Sequence, residues 1–370
     1  MGFFMNTSST EVKNVWLVTG GAGFIGSNFV RMARSHQWAT IINLDKLTYA
    51  GNLASIESLN QDKDHLFIQG DIGDRALVRR ILDEHNPQAI IHFAAESHVD
   101  RSIEGPRDFF DTNVIGTFNL LCETREYWNS LEDTCKKSFR FLNVSTDEVY
   151  GSLGFDEAPF HEKTPYAPNS PYAASKAASD HFMRAYQHTY GFPTLLTHCS
   201  NNYGPYQFPE KLIPVVVLNA LAGKTLPIYG DGLNVRDWLY LDDHCRALYF
   251  VLTKGRVGET YNIGGGYEVP NLTLVQEICT VLDQIKTDPR GLYSRLIQYV
   301  KDRPGHDRRY AIDNSKITKE LGWKPLESFE TGIRKTINWY IENQNWVEII
   351  QNSSFKDWIH SHYENKRSTL

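Results

Sequence analysis

Short, nearly unbroken apolar runs recur along this chain, separated by longer stretches whose apolar residues return every three or four positions. The runs are Val15 to Thr19, Thr40 to Asp45, His65 to Asp71, Ala89 to Ala95 and Phe139 to Ser145. They do not alternate apolar with polar residues, so they predict strands buried on both faces. Between them, Phe24 to about His36, Asp74 to His85 and Asp111 to about Trp128 carry the helical period. A further helix runs to Tyr190 and is announced by Ser170-Pro171, a capping hydroxyl before a proline. Strands and helices in alternation predict an α/β fold, a Rossmann-type doubly wound parallel sheet covered by helices. Ligand chemistry in such sheets gathers at the carboxyl ends of the strands.

Past Ser200 the texture changes. Prolines and glycines become frequent, as at Gly204-Pro205, Pro209, Pro214 and Gly230, and the apolar runs shorten. This predicts a first domain over 13–200 and a smaller, interleaved α/β substrate-binding domain mainly over 201–350. Trp238 to Leu241 and Tyr261 to Gly264 still read as buried strands, so parts of 235–265 are expected to rejoin the first domain. Residues 1–12 and 351–370 read as terminal extensions.

Bulk properties narrow the function. The chain has 370 residues, 41% hydrophobic and 22% charged, which is ordinary globular composition. A net charge of −6 disfavours a nucleic-acid partner. No apolar run reaches the roughly 20 residues of a membrane helix. The first residues lack the basic and apolar regions of a signal peptide, and Asn6 breaks the myristoylation pattern that Gly2 begins. Five scattered cysteines form no CxxC pair, which predicts reduced thiols in the cytoplasm rather than disulfides or zinc. His98 and His161 have no ligand spacing around them, so no metal is expected.

Two constellations carry chemistry. Gly20-Gly21-Ala22-Gly23-Phe24-Ile25-Gly26 joins the first strand to the first helix. Glycines there permit a tight turn and close approach to a pyrophosphate, whose charge meets the helix N-terminus. A glycine cluster alone is common; the strand–turn–helix setting makes it specific. Asp45 ends the second strand about 20 residues on, where a carboxylate accepts hydrogen bonds from an adenosine ribose and repels a 2′-phosphate. NAD is therefore favoured over NADP, with Lys46 the one contrary residue. Asp71 and Ile72 close the third strand, beside the adenine.

Tyr172 and Lys176 stand four apart at the start of the last helix and share one face. An ammonium near a phenol favours phenolate, which suits Tyr172 to take a proton from a sugar hydroxyl. Thr146 is placed to hydrogen-bond the same oxygen. Asp147 and Glu148 follow it, and simple redox chemistry needs neither. On a strand their side chains would point to opposite faces, so both enter one pocket only if the strand has ended; Gly151 marks a turn. Oxidising carbon 4 of a hexose acidifies the hydrogen on carbon 5. A base can then remove it while an acid protonates the departing hydroxyl of carbon 6.

With these motifs in place, the chain resembles the extended short-chain dehydrogenases/reductases and, within them, the dTDP-glucose 4,6-dehydratases. The resemblance runs through TGGAGFIGSNF, LDKLTYAGN, GDI, HFAAESHVDRSI, TNVIGT, STDEVYG and SPYAASKAASDH. It continues in NNYGPYQFPEKLIP, LPIYGDGLNVRDWLY, YNIGG and RPGHDRRYAID. It implies conversion of dTDP-glucose to its 4-keto-6-deoxy product with tightly bound NAD regenerated. Tyr172 is then the base at the 4-hydroxyl, assisted by Thr146 and Lys176, with Asp147 the acid and Glu148 the base of the elimination. The cofactor would be lined by Gly20, Gly23, Phe24, Ile25, Gly26, Asp45, Lys46, Leu47, Thr48, Asp71 and Ile72. Ala94, Ala95, Glu96, Ser97, Thr112, Tyr172, Lys176 and Asn201 would complete that wall.

The nucleotide sugar would be held by Ser97, Thr146, Asn202, Lys211, Leu212, Pro227, Tyr229, Arg236, Asn271, Arg303 and His306, with Arg236 on the diphosphate. Members of this family generally pair through a four-helix interface, which implies a homodimer. The segment from Ser152 to Lys163 matches no motif. A 4-epimerase of the same fold needs Tyr and Lys but no acid pair. A dehydratase for another nucleotide sugar is the closer rival. A non-catalytic NAD-binding protein would be expected to lack the Tyr or the Lys.

Overall fold

A computed structural model of the chain describes residues 14–302 and 304–351. Its first six strands are β1 (Val15–Thr19), β2 (Thr40–Asp45), β3 (His65–Gln69), β4 (Ala89–His92), β5 (Arg140–Thr146) and β6 (Thr194–Cys199). Six more follow: β7 (Asn201–Tyr203), β8 (Leu226–Tyr229), β9 (Val235–Tyr240), β10 (Thr260–Ile263), β11 (Glu268–Pro270) and β12 (Ile297–Val300). Seven of them form one sheet in the order β10-β6-β5-β4-β1-β2-β3. Every pairing in it is parallel. The chain winds outward in both directions from β1 and β4, which opens a crevice at the carboxyl ends of those strands.

The unbroken apolar runs follow from burial on both faces. On β1, Trp16 and Val18 enter a core with Phe29, Val30 and Leu248, while Leu17 joins Ile42, Leu44, Ile90 and Phe141 on the other side. Truncating a residue such as Leu17 would cost about 2–5 kcal/mol. A separate core, with Val216, Val217, Leu274, Ile278, Ile333 and Ile337, gathers three helices, Leu212–Leu221, Asn271–Ile285 and Phe329–Glu342. The strand pair β8–β12 and the three-stranded sheet β11-β9-β7 flank it. Of the two late strands read from sequence, β10 extends the main sheet beside β6, whereas β9 pairs with β7 and β11.

Local structure departs from expectation at two strand ends and in one helix. The third run ends as a strand at Gln69, and the fourth at His92, so Asp71 and Ala94 lie in the turns that follow. The stretch from Asp111 to Trp128 is not one regular helix. A short helix, Pro106–Phe109, leads through a π-helical segment, Phe110–Gly116, into Thr117–Ser130. Buried Asn113 holds this wide turn: its Oδ1 accepts from Glu96 N (2.9 Å), and its Nδ2 donates to Glu96 O (2.9 Å) and Ser175 Oγ (2.8 Å). Wide turns of this kind concentrate at functional sites, and this one brings Thr112 to the cavity described next.

Candidate active site

A cavity of about 290 Å³ opens at the carboxyl ends of the central strands. Gly20, Gly23, Phe24, Ile25 and Gly26 form one wall. Gly20 has φ +74°, and a Cβ there would lie 2.5 Å from Ala94 N; a Cβ on Gly26 would lie 2.2 Å from Gly20 O. The turn is therefore as tight as backbone permits. The helix it opens, Phe24–Ser35, begins at Gly23 without a side-chain cap, leaving its leading N–H groups to a ligand. Positive helix-end charge, open N–H donors and a floor without side chains together fit a pyrophosphate.

Asp45 is buried at the end of β2. Its Oδ2 accepts from Ala22 N (2.9 Å) and its Oδ1 from Leu47 N (2.8 Å), which ties the strand end to the glycine turn. Burial raises its pKa, against the pull of those two donors. Lys46, the residue that could have favoured a 2′-phosphate, instead forms an ion pair with Asp71 at 2.7 Å. Its hydrogen bond to Asp71 pushes the Lys46 pKa up. The donor set fits NAD. Thr48, Ile72, Ala94, Ala95, Glu96, Ser97, Thr112 and Asn201 also line the cavity; Leu47 does not, having turned its backbone to Asp45 with φ +58°.

The reacting groups stand at the end of β5. Thr146 is its last residue, and a 3-10 turn, Asp147–Tyr150, begins at once. The Thr146 hydroxyl accepts from Glu148 N (3.3 Å) and donates to Asp147 Oδ1 (3.3 Å), capping the turn. The strand has ended, so the alternation rule no longer applies, and Asp147 and Glu148 both line the cavity. Gly151, φ +93°, closes the turn where a Cβ would lie 2.5 Å from Ala167 O.

Asp147 is 2% exposed, and its Oδ2 has no hydrogen-bond partner among the described residues. Its pKa is raised well above the carboxylate range, first by burial and then by the charges of Glu148 and Asp237, against the pull of Arg236. That shift favours the protonated carboxyl, the form a proton donor needs.

Ser170 caps the catalytic helix, Pro171–Tyr190, as its sequence predicts: Ser170 Oγ accepts from Ala173 N at 3.1 Å. Tyr172 and Lys176 both line the cavity, and the ring of Phe109 packs edge-on against Tyr172 at 6.2 Å. One expectation is corrected. Lys176 Nζ is buried and donates to Val144 O at 2.9 Å, and the expected lowering of the phenol's pKa is absent. The Tyr172 pKa is raised well above 10.0 by burial and by Glu148, with the Thr146 hydroxyl opposing. Burial also lowers the pKa of Lys176.

The residues assigned to the sugar nucleotide divide. Ser97, Thr146, Asn202 and Lys211 line the cavity, and Lys211 Nζ donates to Ser97 O at 2.9 Å. Leu212, Pro227, Tyr229, Arg236, Asn271 and His306 do not line it. Arg236 is nevertheless close enough to pull on Asp147. Its guanidinium lies over the Tyr310 ring, 4.3 Å from the centroid, and donates to Val235 O (2.7 Å) and Asp307 O (3.0 Å). Tyr229 and His306 meet edge-on at 6.3 Å, beside the His306–Asp302 contact of 2.7 Å. Arg303 lies outside the described residues.

The unmatched segment from Ser152 to Lys163 runs alongside residues 309–312, bridged at Phe160 and Ile312. Arg309 fastens it by donating to Gly154 O (3.2 Å) and Glu157 O (2.7 Å). His98 caps the helix Val99–Glu104 by accepting from Arg101 N. Ser145, Cys199, Ser200, Gln207, Phe208 and Glu210 also line the cavity and were given no role from the sequence. Ser145, Gln207, Phe208 and Glu210 lie within the STDEVYG and NNYGPYQFPEK segments, whereas Cys199 and Ser200 lie just before the latter.

The family model described as GDP-mannose 4,6 dehydratase matches residues 17–336. A dTDP-glucose 4,6-dehydratase of Xanthomonas campestris pv. campestris is 60% identical over 92% of this chain and 97% of its own. One from Escherichia coli K12 is 54% identical over 95% and 99%. Among solved structures, the dTDP-glucose 4,6-dehydratase of Streptomyces venezuelae with NAD and TYD bound superposes with a TM-score of 0.82 at 48% identity, covering 91% of this chain and 99% of that one. A UDP-glucose 4-epimerase of Thermotoga maritima, solved with UDP-glucose, reaches a TM-score of 0.78 at 28% identity over 89% and 99%.

Proposed function

The chain belongs to the GDP-mannose 4,6-dehydratase family, among its dTDP-glucose 4,6-dehydratases, and on that premise we propose that it converts dTDP-glucose to dTDP-4-keto-6-deoxyglucose as an NAD-dependent hydro-lyase. The observation that carries this reading is the Asp147–Glu148 pair in one cavity with Tyr172, the first carboxyl buried and with its pKa raised. An epimerase has no use for such a pair.

NAD, held by the Gly20–Gly26 turn and Asp45, would supply positive charge and a reversible hydride acceptor beside the sugar. Tyr172 takes the 4-hydroxyl proton and Thr146 orients that oxygen. Lys176 rests on the Val144 carbonyl, and in the free protein the Tyr172 pKa is raised rather than lowered. Glu148 removes the proton on carbon 5, and Asp147 protonates the hydroxyl leaving carbon 6 as water.

Residues 13–200 with β10 form the NAD-binding unit in this reading, and 201–350 the nucleotide-sugar unit. Asn202 and Lys211 hold the sugar end; Arg236, Tyr229, Asn271 and His306, with Leu212, Pro227 and Arg303, take the nucleotide. We read the chain as a homodimer, because Ile103, Phe110, Ile115 and Phe118 are exposed apolar residues on one stretch, and Phe118 packs against Phe182 of the catalytic helix. Five free thiols fit the reducing cytoplasm. Among the described residues no helix is long and apolar enough to cross a membrane.

The test is incubation of the purified protein with dTDP-glucose and no added reductant, beside UDP-, GDP- and CDP-glucose. A 4-keto-6-deoxy product from the thymidine nucleotide is expected. A 4-epimer, or preference for another base, would overturn the reading.

A further inference from the structure

The groups of the proposed reaction sit on two pieces of backbone. Thr146, Asp147 and Glu148 belong to the end of β5 and its 3-10 turn; Tyr172 and Lys176 belong to the helix Pro171–Tyr190. A buried polar cluster joins the two. At its centre is Asp180, 1% exposed and one helical turn beyond Lys176. Its Oδ1 accepts from Asn143 Nδ2 (3.0 Å) and its Oδ2 from Ser145 Oγ (2.8 Å), both on β5 just before the acid pair. The same Oδ2 lies 3.1 Å from His198 Nε2 on β6.

His198 carries the connection past the acid pair. Its Nδ1 lies 2.7 Å from the hydroxyl of Tyr150, the last residue of the turn, and that hydroxyl donates to Asn262 Oδ1 on β10 at 3.0 Å. Tyr166, from the segment before the helix, brings its hydroxyl within 2.9 Å of His198 Nε2. Asp180 on the catalytic helix is thus tied directly to side chains just before Asp147–Glu148 and, through His198, to the side chain of Tyr150 just after it. A purely structural core at this point would be filled by apolar side chains, since a buried carboxylate is tolerated only when its donors are all in place. Asp180 also opposes the burial that would strip Lys176 of its proton.

We propose that Asp180 is a positioning residue, which acts with His198 to hold the acid-pair turn in register with Tyr172 and Lys176, so that the oxidising and eliminating groups address one sugar. The inference rests on the dehydratase reading, and its test separates the two. Asp180→Asn replaces an acceptor oxygen with a donor facing donors. Tyr150→Phe, a milder change, removes only the hydroxyl that links His198 to the turn. Two readouts on the NAD-bound protein are needed: hydrogen–deuterium exchange over residues 145–151, and kcat against KM for dTDP-glucose.

Both variants are expected to exchange faster at 145–151 than wild type, with the peptides of β1 and β2 unchanged. Displacement of catalytic groups by about 1 Å costs on the order of a hundredfold, so Asp180→Asn is expected to lose about ten- to a hundredfold in kcat with KM within about twofold. Tyr150→Phe should show the same pattern more weakly, and it carries the test if Asp180→Asn does not fold. If wild type ignores dTDP-glucose while exchange still rises, the substrate reading fails and the positioning role stands. Unchanged exchange at 145–151, or kcat held at wild type while only melting temperature falls, overturns the role.

Discussion

Asp147→Asn isolates the elimination from the oxidation. The amide matches the carboxyl in shape and can hydrogen-bond, but it has no proton to give. Burial and the charge of Glu148 raise the Asp147 pKa, so the amide, neutral at every pH, perturbs the charge of the folded site less than it would at an exposed aspartate. General acid catalysis is worth about 10²–10⁴ in rate, or roughly 3–5 kcal/mol of barrier. That loss should fall on departure of the carbon 6 hydroxyl and leave oxidation at carbon 4 nearly intact. Reduced nicotinamide, transient in wild type, should then accumulate in a stopped-flow single turnover followed by its absorbance. Stability should not suffer. A carboxyl whose folded pKa is raised costs stability once the pH passes its unfolded value, ordinarily 3.8, and the full cost applies above the folded value. Asparagine removes that cost, so the variant should melt at or above the wild-type temperature at pH 7. A nicotinamide trace that overlays wild type would refute the acid assignment.

Tyr172→Phe should block the first step, so no reduced nicotinamide should form in single turnover; a trace like that of wild type would remove the phenol from the mechanism. Glu148→Gln should stop deuterium from entering carbon 5 when the reaction is run in deuterated water, as read by mass spectrometry of the product; wild-type incorporation would mean that another group is the base. Since Asp147 must carry its proton, kcat in wild type should fall as the pH rises through its raised pKa; a fall of equal size in Asp147→Asn would assign the limb elsewhere. Gly20→Ala forces a side chain into φ +74° and within 2.5 Å of Ala94 N, so about 1–3 kcal/mol of strain should appear as a lower melting temperature and as loss of NAD on purification. A variant that keeps both would show that the glycine turn is looser than described.

The central sheet was legible because its strands are buried on both faces: runs such as Val15 to Thr19 have no polar side to hide. The glycine turn and the Tyr172–Lys176 pair were legible because each is set by local spacing. What could not be read depends on tertiary placement. The π-helical segment at Phe110–Gly116 is held by Asn113 reaching Glu96 and Ser175, partners far apart in the chain. Ammonium four residues from phenol was rightly placed on one helix face, yet its orientation was decided by the Val144 carbonyl on β5. Arg236 stands apart from the cavity wall yet pulls on Asp147 across a long sequence separation. No periodicity reports such contacts.

The acid pair shows why adjacency in sequence can serve two opposed roles. Asp147 and Glu148 would diverge if β5 continued by one residue; capping by the Thr146 hydroxyl converts the strand into a 3-10 turn and keeps both side chains on the cavity. Burial then separates them. Asp147 is closed off, with one oxygen unpartnered among the described residues, while Glu148 is partly exposed. Two neighbouring carboxyls disfavour each other's ionisation, and burial adds to that at Asp147, whose raised pKa suits the role of acid. Exchanging the two residues, Asp147→Glu with Glu148→Asp, would keep the composition but move each carboxyl by about one methylene. If burial at each position rather than residue type assigns the roles, the exchanged protein should still accumulate no more reduced nicotinamide than it turns over, at a lower overall rate. Accumulation like that of Asp147→Asn would show instead that reach, and not burial, decides which carboxyl is the acid.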